Sequence, residues 1–191
     1  MKHISMLMFG LLLFTLACTD EEKDPFQLAK LTKGSIIALR GTAYDNLVDY
    51  PLVFRGAVDT FNVNLDPATE NFEFDADFQA EDPNSLVQVD VFARGTETGP
   101  RVRVATVQGS AFSIPSGGAY PRASFSIPLN EILTKTNTSL SSIAVGSYLY
   151  IECDLTLTNG TVVPASSIVN SSLFESALFY PAHNLLYLAR G

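Results

Sequence analysis

From Ile36 onward, apolar and polar residues alternate in short runs, each closed by proline, glycine, asparagine or aspartate. A period of two is the signature of strands with one buried face. The clearest run is residues 72–80, where Phe72, Phe74, Ala76, Phe78 and Ala80 fall on one face and Glu73, Asp75 and Asp77 on the other. Further strands are predicted at residues 86–93, 101–107 and 123–127, with Pro83-Asn84 and Thr98-Gly99-Pro100 as breaks. In the run at 148–157, Leu149, Ile151, Cys153, Leu155 and Leu157 share a face. Asn159-Gly160 then predicts a hairpin through a type I′ turn, with 161–163 returning and Pro164 ending the return strand. Residues 173–188, rich in Phe, Leu and Tyr, are expected to hold a closing strand.

The pattern changes once. Leu129, Ile132 and Leu133 follow the i, i+3, i+4 spacing of a helical stripe, directly after Pro128, which fits the start of a helix. A short helix over 129–135, crossing between two sheets, is the expectation. About eight strands, one helical turn and no βαβ alternation predict an all-β fold, an immunoglobulin-like or fibronectin-like β-sandwich. Tryptophan is absent and the cysteines number two, so an antibody-type disulfide core is not expected. Phe74, Phe78, Val89, Val91, Ile151 and Leu155 are predicted to share one core.

The first residues obey a different rule. Lys2 and His3 precede an almost unbroken apolar run at 4–16. That run is far shorter than the roughly 20 residues a helix needs to span a bilayer, and it reads as a signal peptide. Leu13-Phe14-Thr15-Leu16-Ala17-Cys18 resembles the lipobox of bacterial lipoproteins, with Thr15 departing from the usual leucine. The expected organisation is a signal peptide over 1–17, a lipidated Cys18 with an acidic tether over 18–34, and a sandwich over 35–191. Thr19-Asp20-Glu21-Glu22-Lys23-Asp24 resembles the acidic export signal that Bacteroidota place after the lipidated cysteine. It implies an outer-membrane lipoprotein facing the cell exterior, with the membrane as partner through its acyl chains.

The chain carries 12 basic and 20 acidic residues, and removing the leader takes away only Lys2. Such a surface repels phosphate backbones, so nucleic acid is not an expected partner. Once Cys18 is committed to lipid, Cys153 has no intramolecular disulfide partner, and within its apolar run it reads as a small buried hydrophobe. The acidic row Glu73, Asp75 and Asp77, with Glu81 and Asp82 beyond, reads first as a solvated face partly paired with arginines. A calcium-dependent binding module is the alternative, although EF-hand spacing is missing. A catalytic carboxylate pair would need an apolar pocket that an exposed strand face does not offer. His183 stands alone in the mature chain without a Gly-x-Ser-x-Gly elbow, so no catalytic residue is assigned. Metal and cofactor are likewise not expected, and Gly117-Gly118 lacks the following helix of a phosphate cradle. The candidate binding residues are Tyr120, in the Gly- and Pro-rich stretch at 115–121, and Tyr44 and Tyr50, near predicted turns.

Three short motifs extend the reading: residues 85–92 (SLVQVDVF), 155–160 (LTLTNG) and 172–180 (SLFESALFY). With the leader and the acidic tether, they resemble a family of uncharacterised Bacteroidota surface lipoproteins. Members are often encoded beside a TonB-dependent transporter and its substrate-binding lipoprotein. The resemblance implies an outer-membrane transporter complex as partner and an accessory binding or assembly role in glycan or peptide uptake. It carries no active-site residues. Members often continue past the last motif, so the resemblance implies a minimal or shortened member. The competing expectation is a structural or adhesive surface module without a small ligand.

Overall fold

The computed structural model describes residues 35–40, 57–169 and 184–191. Among them, nine strands run in chain order: β1 (Ile36–Arg40), β2 (Ala57–Asn62), β3 (Asn71–Gln79), β4 (Leu86–Arg94), β5 (Val102–Gln108), β6 (Arg122–Pro128), β7 (Tyr148–Leu157), β8 (Val162–Val163) and β9 (Asn184–Arg190). Two short helices join them, α1 (Leu129–Thr136) and α2 (Ala165–Val169). One sheet has the order β1-β3-β6, the other β2-β9-β7-β4-β5 with β8 added to β7. Ser35–Gly191 forms one unit by its internal contacts. The chain changes sheets between β1 and β2, β2 and β3, β3 and β4, β5 and β6, and β6 and β7, so the two sheets of this all-β sandwich interleave along the sequence.

The alternation read from the sequence becomes the core. Phe72, Phe74, Ala76 and Phe78 of β3 are buried against Val89, Val91, Ile151, Cys153 and Leu155 of the opposite sheet in one cluster. The rings of Phe74 and Phe125 stack with centroids 4.3 Å apart. Tyr187 packs on Phe61 and Phe72, and its hydroxyl donates to the Asn71 carbonyl at 2.9 Å, so its polar end is satisfied.

Three local devices close the sandwich. Between β1 and β2 the chain leaves one sheet for the other: β1 pairs with β3 only as far as Arg40 opposite Asp75, while β2 runs parallel to β9. The Glu73 N–H beyond that last pair donates instead to Asp59 Oδ2 at 2.9 Å. Helix α1 buries Leu129, Ile132 and Leu133, the predicted stripe, packing on β4, β5 and β6. Asn137 ends it in the left-handed conformation, and the Thr138 N–H returns to the Leu133 carbonyl at 2.9 Å. Lys135 Nζ donates to the Val104 carbonyl at 2.9 Å, so a charge guards the edge strand β5.

The structure corrects two expectations. The hairpin between β7 and β8 is not a type I′ turn. Gly160 alone takes a positive φ of 81°, its N–H donates to the Leu157 carbonyl, and Leu157 N–H donates to Thr161. That is a three-residue loop, a type I turn followed by a left-handed glycine. Asn159 keeps a negative φ and spends its side-chain oxygen on the Thr161 N–H. Second, Asp77 does not line a solvated face. β3 is the central strand of its sheet, with Ala38 and Arg122 as the neighbours of Asp77 on either side, and the carboxylate is only 1% exposed. The nine described strands agree with the expected eight or so, and α2 adds a second short helix to the predicted one.

Candidate functional site

Strand polarity sorts the loops between two ends of the sandwich. Ile36 lies opposite Gln79, Arg122 opposite Asp77, Gln108 opposite Gln88, and Leu157 opposite Leu86. Residue 35, the 80–85 loop, the 109–121 segment and the 158–161 hairpin tip are therefore at one end. The loops at 63–70, 95–101 and 144–147 are at the other.

Tyr120 stands on the first of these ends. Its loop is pinned at the root, where Ser113 and Arg122 exchange backbone hydrogen bonds at 3.0 and 2.9 Å and the Pro121 carbonyl accepts from Phe78 N–H at 2.7 Å. At the tip, the Gly118 N–H donates to the Pro115 carbonyl at 2.8 Å, and Gly117 has φ 75°, as the third position of a type II turn requires. Below the root, Arg122 Nε donates to Asp77 Oδ1 at 2.7 Å. Ile114 and Tyr120 are left 56% and 38% exposed on this rigid frame. Beside them an open depression of about 400 Å³ is lined by Pro83, Asn84, Leu86, Phe112, Ile114 and Pro121. Tyr120 is next to it in sequence but is not part of its wall. Cys18, Tyr44, Tyr50 and His183 lie outside the described residues.

The polar constellations are mutually satisfied. On the outer side of the larger sheet, Arg101 pairs with Glu152 and with Asp154 at 2.6 Å, its guanidinium lying 3.5 Å from the Phe92 ring centroid. Arg94 Nε sits 2.9 Å from Glu152 Oε1, an ion pair whose direction is too poor for a hydrogen bond. Asp154 also accepts the Ala165 N–H at 2.8 Å, which anchors α2. In the smaller sheet Glu73 accepts from the Ser126 hydroxyl at 3.0 Å. Among the described residues, no three His, Cys, Asp or Glu side chains stand together as a metal site would need, so the calcium reading gains nothing. Cys153 is fully buried, and burial pushes its thiol well above the usual range, which makes a nucleophilic thiolate scarce. Burial likewise raises the carboxyl of Asp59, opposed by the N–H groups of Glu73 and Thr60.

The signal the sequence did not yield alone is the company Tyr120 keeps. From Val104 to Pro121 the chain has no charged residue, and Ile114 within that stretch is more exposed than the tyrosine. No helix among the described residues is long and apolar enough to cross a membrane. No family model and no curated protein matches the chain.

Proposed function

We propose that this chain is an outer-membrane lipoprotein, anchored through Cys18 and facing the cell exterior, with an accessory binding or assembly role in the uptake of glycans or peptides. The observation that carries the reading is the placement of the 113–121 loop. Its exposed Ile114 and Tyr120 are held on a pinned frame at the end of the sandwich where Ser35 enters β1. Ser35, where the described sandwich begins, and the exposed Tyr120 thus lie at the same end of it. The lipobox at 13–18, the acidic tether and the resemblance to Bacteroidota lipoproteins encoded beside TonB-dependent transporters support the same address. The mutual pairing of carboxylates with arginines and hydroxyls supports a binding rather than a catalytic role.

Crosslinking on intact cells, followed by affinity purification, tests this reading. A transporter and its substrate-binding lipoprotein are expected in the crosslinked fraction, with the chain cleaved by external proteinase on the same cells. Recovery of bulk envelope proteins alone, with protection from proteinase, would overturn both the role and the surface address.

A further inference from the structure

Antiparallel pairing leaves every second residue of a strand with its N–H and C=O turned away from the partner strand. For β6 and β3, two bonds just beyond the ladder fix which residues those are. Phe78 N–H donates to the Pro121 carbonyl at 2.7 Å, and Leu129 N–H donates to the Glu70 carbonyl at 2.9 Å. Counted inward from either end, Ala123, Phe125 and Ile127 bond to β3, opposite Ala76, Phe74 and Phe72. Arg122, Ser124 and Ser126 turn the other way. Arg122 is satisfied there, because it exchanges both backbone bonds with Ser113. Pro128, without an N–H, closes the other end. Between them, Ser124 and Ser126 present two N–H and two C=O groups on the free edge of the smaller sheet, and no described residue pairs with these groups. Both serines are exposed, and residues 123–128 carry no charge, no glycine and no register shift. The guards common on edge strands are thus absent from this stretch among the described residues, whereas β5 has Lys135 on its Val104 carbonyl.

We infer that the β6 edge at Ser124 and Ser126 is a docking site for an extended basic peptide, which adds as a fourth strand to the β1-β3-β6 sheet. Donors and acceptors that repeat about every 6.8 Å along an edge are complementary to another extended backbone, and a glycan offers no such row. The Ser113–Arg122 bridge places an antiparallel neighbour on this side of β6 at one end already. The serines are small, so they leave room for long side chains on the outer face of the added strand. On that face the exposed Glu73 lies opposite Ser126 and accepts its hydroxyl at 3.0 Å. A lysine or arginine on the far side of Ser126 reaches across the serine to that carboxylate, and the formal charge of −8 draws such a peptide in. Arg122 does not compete, because Asp77 holds its guanidinium at 2.7 Å. A second copy docked edge to edge would set acid against acid, and so short a pairing buries far less than the ~1,000 Å² of a stable interface. The inference needs neither the lipid anchor nor the Tyr120 loop, so its failure would leave the proposed function as it stands.

The test titrates the purified full chain with a short capped peptide of alternating lysine and threonine, and follows backbone amides by NMR hydrogen exchange. Without peptide, the Ser124 and Ser126 amides should exchange fast while those of Ala123, Phe125 and Ile127 are protected. The peptide should bind saturably and protect the two serine amides. The same peptide N-methylated at its lysines keeps the charge but loses the donors that face the edge, and it should bind at least about tenfold more weakly. A version with glutamate in place of lysine should also bind more weakly, and Glu73→Gln should narrow that difference. Ser124→Pro removes one outward donor without touching the ladder to β3, and should weaken the lysine peptide about tenfold at an unchanged unfolding midpoint. If that variant loses its fold, the comparison of methylated and unmethylated peptides on the wild type decides. Equal binding of those two peptides, or binding that leaves the serine amides in fast exchange, would overturn the inference. Absence of binding at millimolar peptide would overturn it as well. Protection of Ser124 and Ser126 without peptide, together with a dimer in sedimentation, would assign the edge to a second copy and overturn it too.

Discussion

Asp77 and Asp59 show how much a single carboxylate can depend on its neighbours. Asp77 reads in sequence as one of three equivalent acids on an outer face, yet a central strand position buries it, and Arg122 from β6 pairs with it at 2.7 Å. Replacing Arg122 with Ala takes the ion pair from a buried carboxylate and loosens the root of the Tyr120 loop. Breaking a buried pair costs 3–5 kcal/mol, and because Arg122 is partly solvated the expected loss is roughly 2–4 kcal/mol in denaturant unfolding. A loss within experimental error would show the pair to be ornamental. Asp59 behaves differently. Burial raises its carboxyl above the ordinary 3.8, outweighing the hydrogen bonds from Glu73 and Thr60, and Glu73 and Glu70 add repulsion. A carboxyl that holds its proton more tightly folded than unfolded contributes stability at pH below the ordinary value and loses it as pH rises through the folded one. The stability of wild type relative to Asp59→Asn should therefore fall from acid toward neutral pH, and unfolding curves at several pH values would measure it. A gap that widens in favour of wild type with rising pH would contradict the burial argument. No pattern in the sequence marked Asp59, because its partner Glu73 lies on a strand of the other sheet.

At the scale of elements, what was legible followed from period and what was not followed from pairing. The faces of β3, β4, β6 and β7 could be read because strict alternation admits only one inward set, and the structure buries that set in one core. Helix α1 was legible from three residues of one stripe. The parallel pairing of β2 with β9 was not, since a strand without alternation gives no register and its partner lies at the far end of the chain. The hairpin was half legible: Asn159-Gly160 marked the turn, but whether both residues or only the glycine take positive φ is settled by how Asn159 spends its side chain. Two predictions belong here. Phe74→Ala removes a buried ring stacked on Phe125 and should cost about 3–5 kcal/mol, measured by denaturant unfolding. A loss under about 1 kcal/mol would contradict the face assignment. Gly160→Ala forces a side chain into the left-handed region and should cost about 1–2 kcal/mol, whereas Asn159→Gly, which a type I′ turn would tolerate well, gains nothing because it loses the bond to Thr161. Equal stability of Gly160→Ala and wild type would show that the turn has another form.

For the whole molecule, the proposed address comes from the leader and the proposed binding surface from the loop end of the sandwich. The candidate site was legible only in part: Tyr120 stood out because glycine and proline surround it, but its relation to Ile114, the depression and Ser35 needed strand polarity to appear. Tyr44 and Tyr50 lie outside the described residues. The proposed address and transporter partner rest on the anchor, so the most direct measurement is metabolic acyl labelling of the wild type beside Cys18→Ala, with both followed by membrane fractionation. The account predicts label and membrane retention in the wild type and loss of both in the variant. A wild type without label, or a variant that is labelled and retained equally, would contradict it.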